Sequence, residues 1–248
     1  MQKITLCFLA ILLLANCSKN ENKENILIVT SNQHTYGNSN INASNHFAEI
    51  VLAYDVFVKN GYSVDFISPK GGAIPIGYIA TSDSIQKKYL YNNEFMNILK
   101  NTKKPSEIDP KSYKAIYYSG GGAAMFGIAE NSEIKKIAEQ IYNQNGIIST
   151  ICHGTAGIVN LKDNQGNSLF QNKKISGYPD LFENKEAEYY KTFPFSIQDK
   201  INENKGSFLH SQKQRDNFYI IDGKFITGQD PSATTSVAQK VVETLINQ

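Results

Sequence analysis

The residues best suited to chemistry in this chain are a cysteine and a histidine that follow a short apolar run. Residues 147–151 are mostly β-branched and predict a buried strand, and Cys152 and His153 come directly after them. Small residues suited to begin a helix follow. A thiol at such a strand-to-helix corner stands clear of the sheet, near backbone N–H groups that favour the reactive thiolate. The pattern predicts a nucleophilic Cys152, with a buried structural cysteine as the alternative.

A run of three glycines at 120–122 is the second candidate element of a site. It follows an apolar run at 115–118, which predicts another strand. Glycines allow unusual backbone angles and let N–H groups point at a ligand oxygen, so an oxyanion hole near Cys152 is one interpretation. A tight turn after the strand is the other. A phosphate-binding loop is not indicated, because no Gly-Lys-Ser or Gly-Lys-Thr follows.

Alternating strand and helix patterns must position these residues. Apolar and alternating runs predict strands at 26–29, 62–68, 115–118, 147–151 and near 175, and a hairpin at 218–227. Helical spacing predicts helices at 46–59, 92–100, 131–144 and from 231 onward. This order predicts an α/β fold with a doubly wound, mostly parallel sheet and helices on both faces, a flavodoxin-like sandwich. Ligands bind at the carboxyl ends of such strands, so the glycine run and Cys152 are expected at the same edge.

Six short motifs occur in order within residues 26–246. They are Ser-Pro-Lys-Gly-Gly at 68–72, Ser-Gly-Gly-Gly at 119–122, Ile-Cys-His-Gly at 151–154, Lys-Ile-Ser-Gly-Tyr at 174–178, Phe-Pro-Phe at 193–195 and Ile-Thr-Gly-Gln-Asp-Pro-Ser-Ala at 226–233. Together they resemble the ThiJ/PfpI superfamily, which has the class I glutamine-amidotransferase-like fold. Within it, the chain resembles the branch of heat-shock holding chaperones and glutathione-independent glyoxalases (glyoxalase III).

The resemblance implies catalytic roles for particular residues. Cys152 matches the family nucleophile, at a strand-to-helix elbow, and His153 matches its base. A carboxylate further along the chain orients that histidine, and Glu183 matches it, with Asp180 as the alternative. These roles agree with general chemistry, because a nucleophilic thiol needs a base and the base needs a third group that fixes its tautomer.

The resemblance also implies groups around the sulfur. Glu49, on the first predicted helix, matches a carboxylate that sits beside the cysteine. A buried glutamate there would stay protonated and could shuttle a substrate proton. Backbone N–H groups of Gly121 or Gly122, together with His153, would form the oxyanion hole. His46 lies one turn before Glu49 and is expected at the edge of the pocket.

Two positions depart from the family pattern. The branch usually reads Gly-Gly-His-Gly where this chain has Gly-Gly-Gly-Ala, so Gly122 stands where a pocket histidine is expected. Thr155 stands where a proline commonly follows the Cys-His-Gly motif. The first departure predicts a wider pocket or a different choice of substrate.

The resemblance implies a cysteine-dependent enzyme for a small aldehyde or 2-oxoaldehyde, such as methylglyoxal, which it would convert to lactate as a lyase (hydro-lyase) without a metal or organic cofactor. The alternatives are a holding chaperone for unfolded proteins or a redox or stress-response protein, and an amidase or peptidase. Glutamine hydrolysis is not expected, because amidotransferases of this fold carry a downstream His-x-Glu pair, whereas His210 is followed by Ser-Gln. The family also implies a homodimer.

The first residues predict export. An apolar stretch at 4–15 is too short to cross a bilayer readily, and Leu-Ala-Asn-Cys ending at Cys17 resembles a bacterial lipoprotein signal. We expect a signal peptide at 1–16, diacylation of Cys17, a polar tether at 17–25 and one α/β domain at 26–248. The protein would then be anchored in the cell envelope, at the inner or outer membrane. An ordinary secretory signal or an uncleaved anchor is the alternative.

The composition excludes several other classes of protein. A hydrophobic content of 41% and an aromatic content of 11% are typical of a globular domain. A net charge of +2, spread along the chain, argues against a nucleic-acid-binding surface. No Cys-x-x-Cys or His-x-x-x-His pair occurs, so a structural zinc site is not expected.

Overall fold

The computed structural model describes residues 24–248. The predictions for the signal peptide at 1–16, for Cys17 and for most of the tether lie outside these residues. The strands are β1 (Asn25–Val29), β2 (Asn45–His46), β3 (Ser63–Ile67), β4 (Ile76–Gly77), β5 (Tyr113–Tyr118), β6 (Ile147–Ile151), β7 (Lys174–Ile175), β8 (Ser207–Phe208), β9 (Tyr219–Asp222) and β10 (Phe225–Gly228).

Seven α-helices and six short 3-10 helices complete the described part of the chain. The α-helices are α1 (Phe47–Lys59), α2 (Ser84–Leu90), α3 (Asn93–Lys100), α4 (Ser132–Asn143), α5 (Glu188–Lys191), α6 (Ile197–Glu203) and α7 (Thr234–Ile246). The 3-10 helices are Pro105–Glu107, Pro110–Ser112, Gly122–Met125, Cys152–Ile158, Asp180–Phe182 and Pro231–Ala233. Within residues 24–248, no helix is both long enough and apolar enough to pass through a membrane.

The central sheet has six strands in the order β3-β1-β5-β6-β10-β9. All neighbours are parallel except β9 and β10, which form an antiparallel hairpin at one edge. Two further sheets contain two strands each, β2 with β4 and β7 with β8. The predicted doubly wound, mostly parallel sheet is therefore confirmed.

Strand β1 shows why the inner strands read as continuous apolar runs. Leu27 and Val29 pack in the cluster that contains α4, whereas Ile26 and Ile28 pack in the cluster that contains α1 and α7. All four side chains are fully buried. A strand covered by helices on both faces has no solvated side, so polar residues do not alternate along it.

The carboxyl ends of the strands bring the candidate site residues to one edge of the sheet. Strands β5 and β6 pair in parallel, with Tyr118 opposite Thr150. The glycine run follows β5 and Cys152 follows β6, so both leave the sheet on the same side. The segment that follows β10 leaves at this edge too. The expectation that the glycines and Cys152 lie at one edge is confirmed.

Three local predictions differ from the structure. The helix expected after Cys152 is a 3-10 helix of seven residues, Cys152–Ile158. The last helix begins with a separate 3-10 turn, Pro231–Ala233, before α7. The short helices α2, α5 and α6 and the two-residue strands β2, β4 and β8 were not predicted. Elements of two to seven residues are too short to show a clear hydrophobic period.

Replacing Ile116 with alanine should lower the free energy of unfolding by roughly 2–5 kcal/mol. The side chain is fully buried in the interior strand β5, and the lost methyl groups leave a cavity. The matched change Ile221→Ala, on the edge strand β9 where the residue is 47% exposed, should cost less than about 1 kcal/mol. Urea titration of the mature protein measures both values. Equal losses for the two variants would contradict this assignment of the core.

Candidate active site

Cys152 sits on a sharp turn between β6 and the 3-10 helix that follows. Its φ angle is +56°, in the left-handed region that residues other than glycine rarely adopt. The surrounding structure must hold this conformation, which is common at functional sites. The residue lies in the floor of a cavity and is only 4% exposed. The thiol therefore borders the cavity but is almost fully buried. The prediction from the sequence, a thiol that stands clear of the sheet, is wrong in this respect.

The environment of Cys152 raises the pKa of its thiol well above the ordinary value. Burial is the largest cause, and the nearby carboxyl group of Glu49 adds to it, while the backbone N–H of His153 opposes it. The prediction that helix N–H groups stabilise a resting thiolate is therefore wrong. Seven residues of 3-10 helix align few peptide dipoles, and they do not outweigh the burial of the sulfur. The thiol rests protonated and needs a base to react.

His153 is the side chain placed to serve as that base. Its Nδ1 lies 3.4 Å from Sγ of Cys152, and its Nε2 lies 2.7 Å from Oε1 of Glu183. In the neutral tautomer with the proton on Nε2, the ring donates to Glu183 and leaves Nδ1 free to accept the thiol proton. The side chains of His153 and Glu183 are 12% and 6% exposed, so little water competes for these contacts.

Glu183, rather than Asp180, is the carboxylate that contacts the histidine. Its second oxygen, Oε2, accepts a hydrogen bond of 3.2 Å from the hydroxyl of Tyr189. Asp180 has different partners: its carboxylate binds Nζ of Lys185 at 2.8 Å and accepts from the hydroxyl of Ser196 at 2.9 Å. Glu183 therefore contacts the imidazole of His153, whereas Asp180 binds Lys185 and Ser196 near its own position in the chain.

The segment after β7 is held against the turn by contacts on both sides of His153. The N–H of Tyr178 donates to the carbonyl of Cys152 at 3.2 Å, and the Tyr178 ring stacks on His153 at 4.6 Å. The Thr155 hydroxyl donates to the carbonyl of Ser176 at 3.0 Å. The residue that replaces the family proline therefore joins this segment to the 3-10 helix.

Glu49 lies in the first turn of α1, fully buried on the other side of the sulfur. Its Oε2 accepts a hydrogen bond of 2.6 Å from the N–H of Gly120. Oε1 is buried and has no partner of ordinary hydrogen-bond geometry in residues 24–248. Burial raises the pKa of Glu49 to about 8, against opposing effects of Gly120 and Cys152. The carboxyl group is therefore mostly protonated at neutral pH, as expected for a buried glutamate beside a thiol.

The glycine run lines the cavity opposite the thiol. Gly121 has φ +91°, which only glycine adopts readily, and both Gly121 and Gly122 border the cavity. Their N–H groups donate to no acceptor within residues 24–248. With His153, they remain the groups proposed for an oxyanion hole.

The Tyr36 side chain occupies the space that a side chain at Gly122 would need. A Cβ built on Gly122 would lie 2.5 Å from Cζ of Tyr36, too close for any real contact. The Tyr36 hydroxyl lies 3.4 Å from that of Tyr78. A tyrosine from the loop before α1 therefore fills the space where the family carries a histidine, so the pocket is not simply wider there.

The cavity has a volume of about 230 Å³ and holds several residues that sequence reasoning did not assign. Its polar wall is formed by His46, Tyr78, Gln214, Arg215 and Asp230. His46 lies at the edge as expected, with its ring stacked on Tyr78 at 4.8 Å. Within residues 24–248, no three His, Cys, Asp or Glu side chains are grouped so that they could share a metal ion.

Burial, with smaller contributions from the nearby His153 and Arg215, lowers the pKa of His46 to about 4. The ring is therefore neutral at physiological pH. One signal in the sequence pointed to His46, its place one turn before Glu49. No such signal marks Arg215 or Tyr78, whereas Asp230 stands within the motif at 226–233 but was given no role there. All three residues lie distant in sequence from Cys152.

Known proteins share this arrangement of elements. The solved structure of the Rapid Encystment Protein 24 kDa from Francisella tularensis superposes with a TM-score of 0.83 at 30% identity, covering 90% of this chain and 99% of that one. The crystal structure of glyoxalase III from Candida albicans superposes with a TM-score of 0.80 at 25% identity, covering 88% and 96%. Glutathione-independent glyoxalase hsp3102 of Schizosaccharomyces pombe is 28% identical over 239 residues, 90% of this chain and 98% of that protein.

The sequence model of the DJ-1/PfpI family matches residues 44–244, a span that begins just before α1 and ends within α7. It includes Glu49, the glycine run, Cys152, His153 and Glu183. The fold, its relatives and this match agree with the resemblance seen in the sequence motifs. The chain belongs to the DJ-1/PfpI family.

Proposed function

We propose that this protein is a cysteine-dependent, glutathione-independent glyoxalase that converts a 2-oxoaldehyde such as methylglyoxal into a 2-hydroxy acid without a cofactor. The observation that carries the proposal is the continuous contact from the Cys152 thiol through His153 to Glu183 at the floor of a cavity. Relatives named as glyoxalases, aligned over most of their length, support the same reaction.

The first step is addition of the thiol to the aldehyde carbon. His153 Nδ1 takes the thiol proton as the sulfur attacks, and the imidazolium that forms is stabilised by Glu183. The carbonyl oxygen becomes an alkoxide beside the N–H groups of Gly121 and Gly122, and it then takes the proton from the imidazolium. The product is a hemithioacetal on Cys152.

The second step moves a proton between the two carbons. A base removes the proton from the former aldehyde carbon, an enediol forms, and a proton returns to the neighbouring carbon to give a thioester of the hydroxy acid. Glu49 is suited to this transfer in its ionised form, which a carboxyl group with a pKa of about 8 populates as a minor fraction at neutral pH. The carboxylate takes the proton from the first carbon and returns it to the second, so it ends the step ionised as it began. Water, activated by His153, then hydrolyses the thioester and releases lactate and the free thiol.

We also propose that the mature protein is a lipoprotein of the bacterial cell envelope and a homodimer. The Leu-Ala-Asn-Cys sequence ending at Cys17 and the polar residues after it support the lipid anchor. The homodimer rests on the resemblance to the family alone. An envelope location would expose the enzyme to reactive carbonyl compounds that arise outside the cytosol.

Cys152→Ala should abolish lactate formation from methylglyoxal, and Glu183→Gln should lower kcat by about 10²-fold or more, because the imidazole loses the group that sets its tautomer. Asp180→Asn is the matched control, since Asp180 lies on the same segment but does not contact His153. It should keep kcat within about threefold of the wild type. Lactate released by the purified mature protein is measured. Full turnover by Cys152→Ala would exclude the mechanism.

Glu49→Gln should abolish most of the activity but stabilise the fold as the pH rises. Between the ordinary pKa of 4.5 and about 8, the native state binds more protons than the unfolded chain, so the free energy of unfolding of the wild type falls with increasing pH. Glutamine escapes this loss and can still accept from Gly120. The advantage of the variant should grow by up to about 1.4 kcal/mol per pH unit across that window.

Urea titrations of wild type and Glu49→Gln at several pH values measure this difference. The exposed Glu186 supplies a matched control, because Glu186→Gln should leave the pH dependence unchanged. A constant difference between wild type and Glu49→Gln from acid to neutral pH would show that Glu49 is ionised in the native protein.

Expression of the full chain in a bacterium with labelled palmitate should give a labelled protein in the membrane fraction. Cys17→Ala should remove the label, because it removes the thiol at the predicted site of diacylation. Cys7→Ala is the control and should keep the label, since Cys7 lies within the predicted signal peptide. Unlabelled, secreted wild-type protein would instead indicate an ordinary signal sequence.

A further inference from the structure

Arg215 is the only arginine among the 25 lysine and arginine residues of the chain, and it borders the cavity that holds Cys152. Its side chain forms no ion pair or hydrogen bond with any residue in 24–248. Lysine carries the positive side-chain charge everywhere else, so a guanidinium occurs once, at the cavity that the proposed nucleophile also borders. The mechanism above leaves it without a role.

The backbone around Arg215 is fixed in an unusual conformation. Arg215 and Asn217 have φ angles of +59° and +57°, both in the left-handed region. The N–H of Arg215 donates to Oδ2 of Asp230 at 2.8 Å, and the N–H of Asn217 donates to the Ser232 hydroxyl at 3.0 Å. A backbone in this rare conformation, held by the buried Asp230 and by Ser232, is a sign of a positioned loop.

Charges around the cavity leave Arg215 as its one permanent cation. His46 is neutral because burial holds its pKa at about 4. Asp230 also borders the cavity, but its carboxylate already accepts from the N–H and hydroxyl of Ser232 and from the N–H of Arg215. The negative charge of Asp230 is thus engaged by internal donors, whereas the guanidinium of Arg215 is free to bind a ligand.

A second cavity of about 480 Å³ continues from the first on the side away from Cys152. The two share His46, Tyr78, Arg215 and Pro231. A three-carbon aldehyde bound at the thiol would leave this second space unused. A longer substrate would pass Arg215 as it extends from one cavity into the other.

We propose that Arg215 forms an anion subsite, and that the substrate is a 2-oxoaldehyde that carries a carboxylate or phosphate group at its far end. This inference rests on the proposed function, because the aldehyde end must react at Cys152. The planar guanidinium can donate two parallel hydrogen bonds to either anion, which a lysine cannot do. Binding the anion at Arg215 would direct the aldehyde toward the thiol.

Turnover of matched substrates tests the subsite. The carboxylate arm compares 4,5-dioxovalerate with its neutral methyl ester, and the phosphate arm compares hydroxypyruvaldehyde phosphate with hydroxypyruvaldehyde. We expect the wild type to prefer at least one anionic partner in kcat/KM, mainly through a lower KM. Arg215→Gln should reduce this preference at least tenfold and Arg215→Lys should reduce it less. Lys213→Gln, an exposed change on the same loop, should leave it unchanged.

Alkylation of Cys152 tests the same subsite without any turnover. Iodoacetate is anionic and iodoacetamide is neutral, and both alkylate the same sulfur. The rate constant for iodoacetate divided by that for iodoacetamide should be at least fivefold lower in Arg215→Gln than in the wild type. In Lys213→Gln this ratio should be unchanged. Because it is a ratio, it cancels any general change in the reactivity of the thiol.

The two experiments separate failure of the subsite from failure of the proposed function. Turnover of methylglyoxal with no preference for either anionic substrate, and an unchanged alkylation ratio, would overturn the subsite while the glyoxalase proposal stands. An alkylation ratio that depends on Arg215, with no turnover of any 2-oxoaldehyde, would support an anion site and overturn the glyoxalase reaction. A preference that survives Arg215→Gln would place the anion elsewhere.

Discussion

The site depends on the burial of two acidic groups, the thiol of Cys152 and the carboxyl of Glu49, at the same place. In a medium of low polarity both cannot be ionised together, because neither charge would be solvated and each would repel the other. Burial accordingly raises the pKa of both groups. The resting state keeps their protons, and the proton acceptor that we propose for the thiol is His153, which Glu183 contacts from its other side. Such a thiol is protected from indiscriminate reaction, since the thiolate is the nucleophilic form.

The fold could be predicted from the sequence to the extent that burial leaves a periodic signal. Strands covered on both faces read as apolar runs, and α1, α3 and α4 show helical spacing close to their observed bounds. Strands of two residues leave no such signal. The thiol pKa was predicted in the wrong direction for a related reason: the local sequence reveals the turn at Cys152, but not that α1 covers it.

The sequence predicted some residues of the candidate site directly, others only through the family resemblance, and some not at all. Cys152 and His153 follow from a local pattern, whereas Glu183 lies in a charged run and is singled out only by the family resemblance. The geometry then separates it from Asp180. Arg215 was missed because a lone basic residue on a polar loop resembles any solvated side chain. Its place at the cavity that Cys152 also borders depends on a hydrogen bond from its N–H to Asp230, which follows a distant strand.

The packing of Tyr36 against Gly122 makes these two positions interdependent over evolutionary time. A lineage that gains a histidine at 122 while it retains the tyrosine passes through a protein with overlapping atoms, since even a Cβ would meet the phenol ring. A lineage that loses Tyr36 first passes through a protein in which the space next to Gly122 is no longer filled by that ring. A histidine at 122 therefore requires the Tyr36 side chain to move or to be replaced.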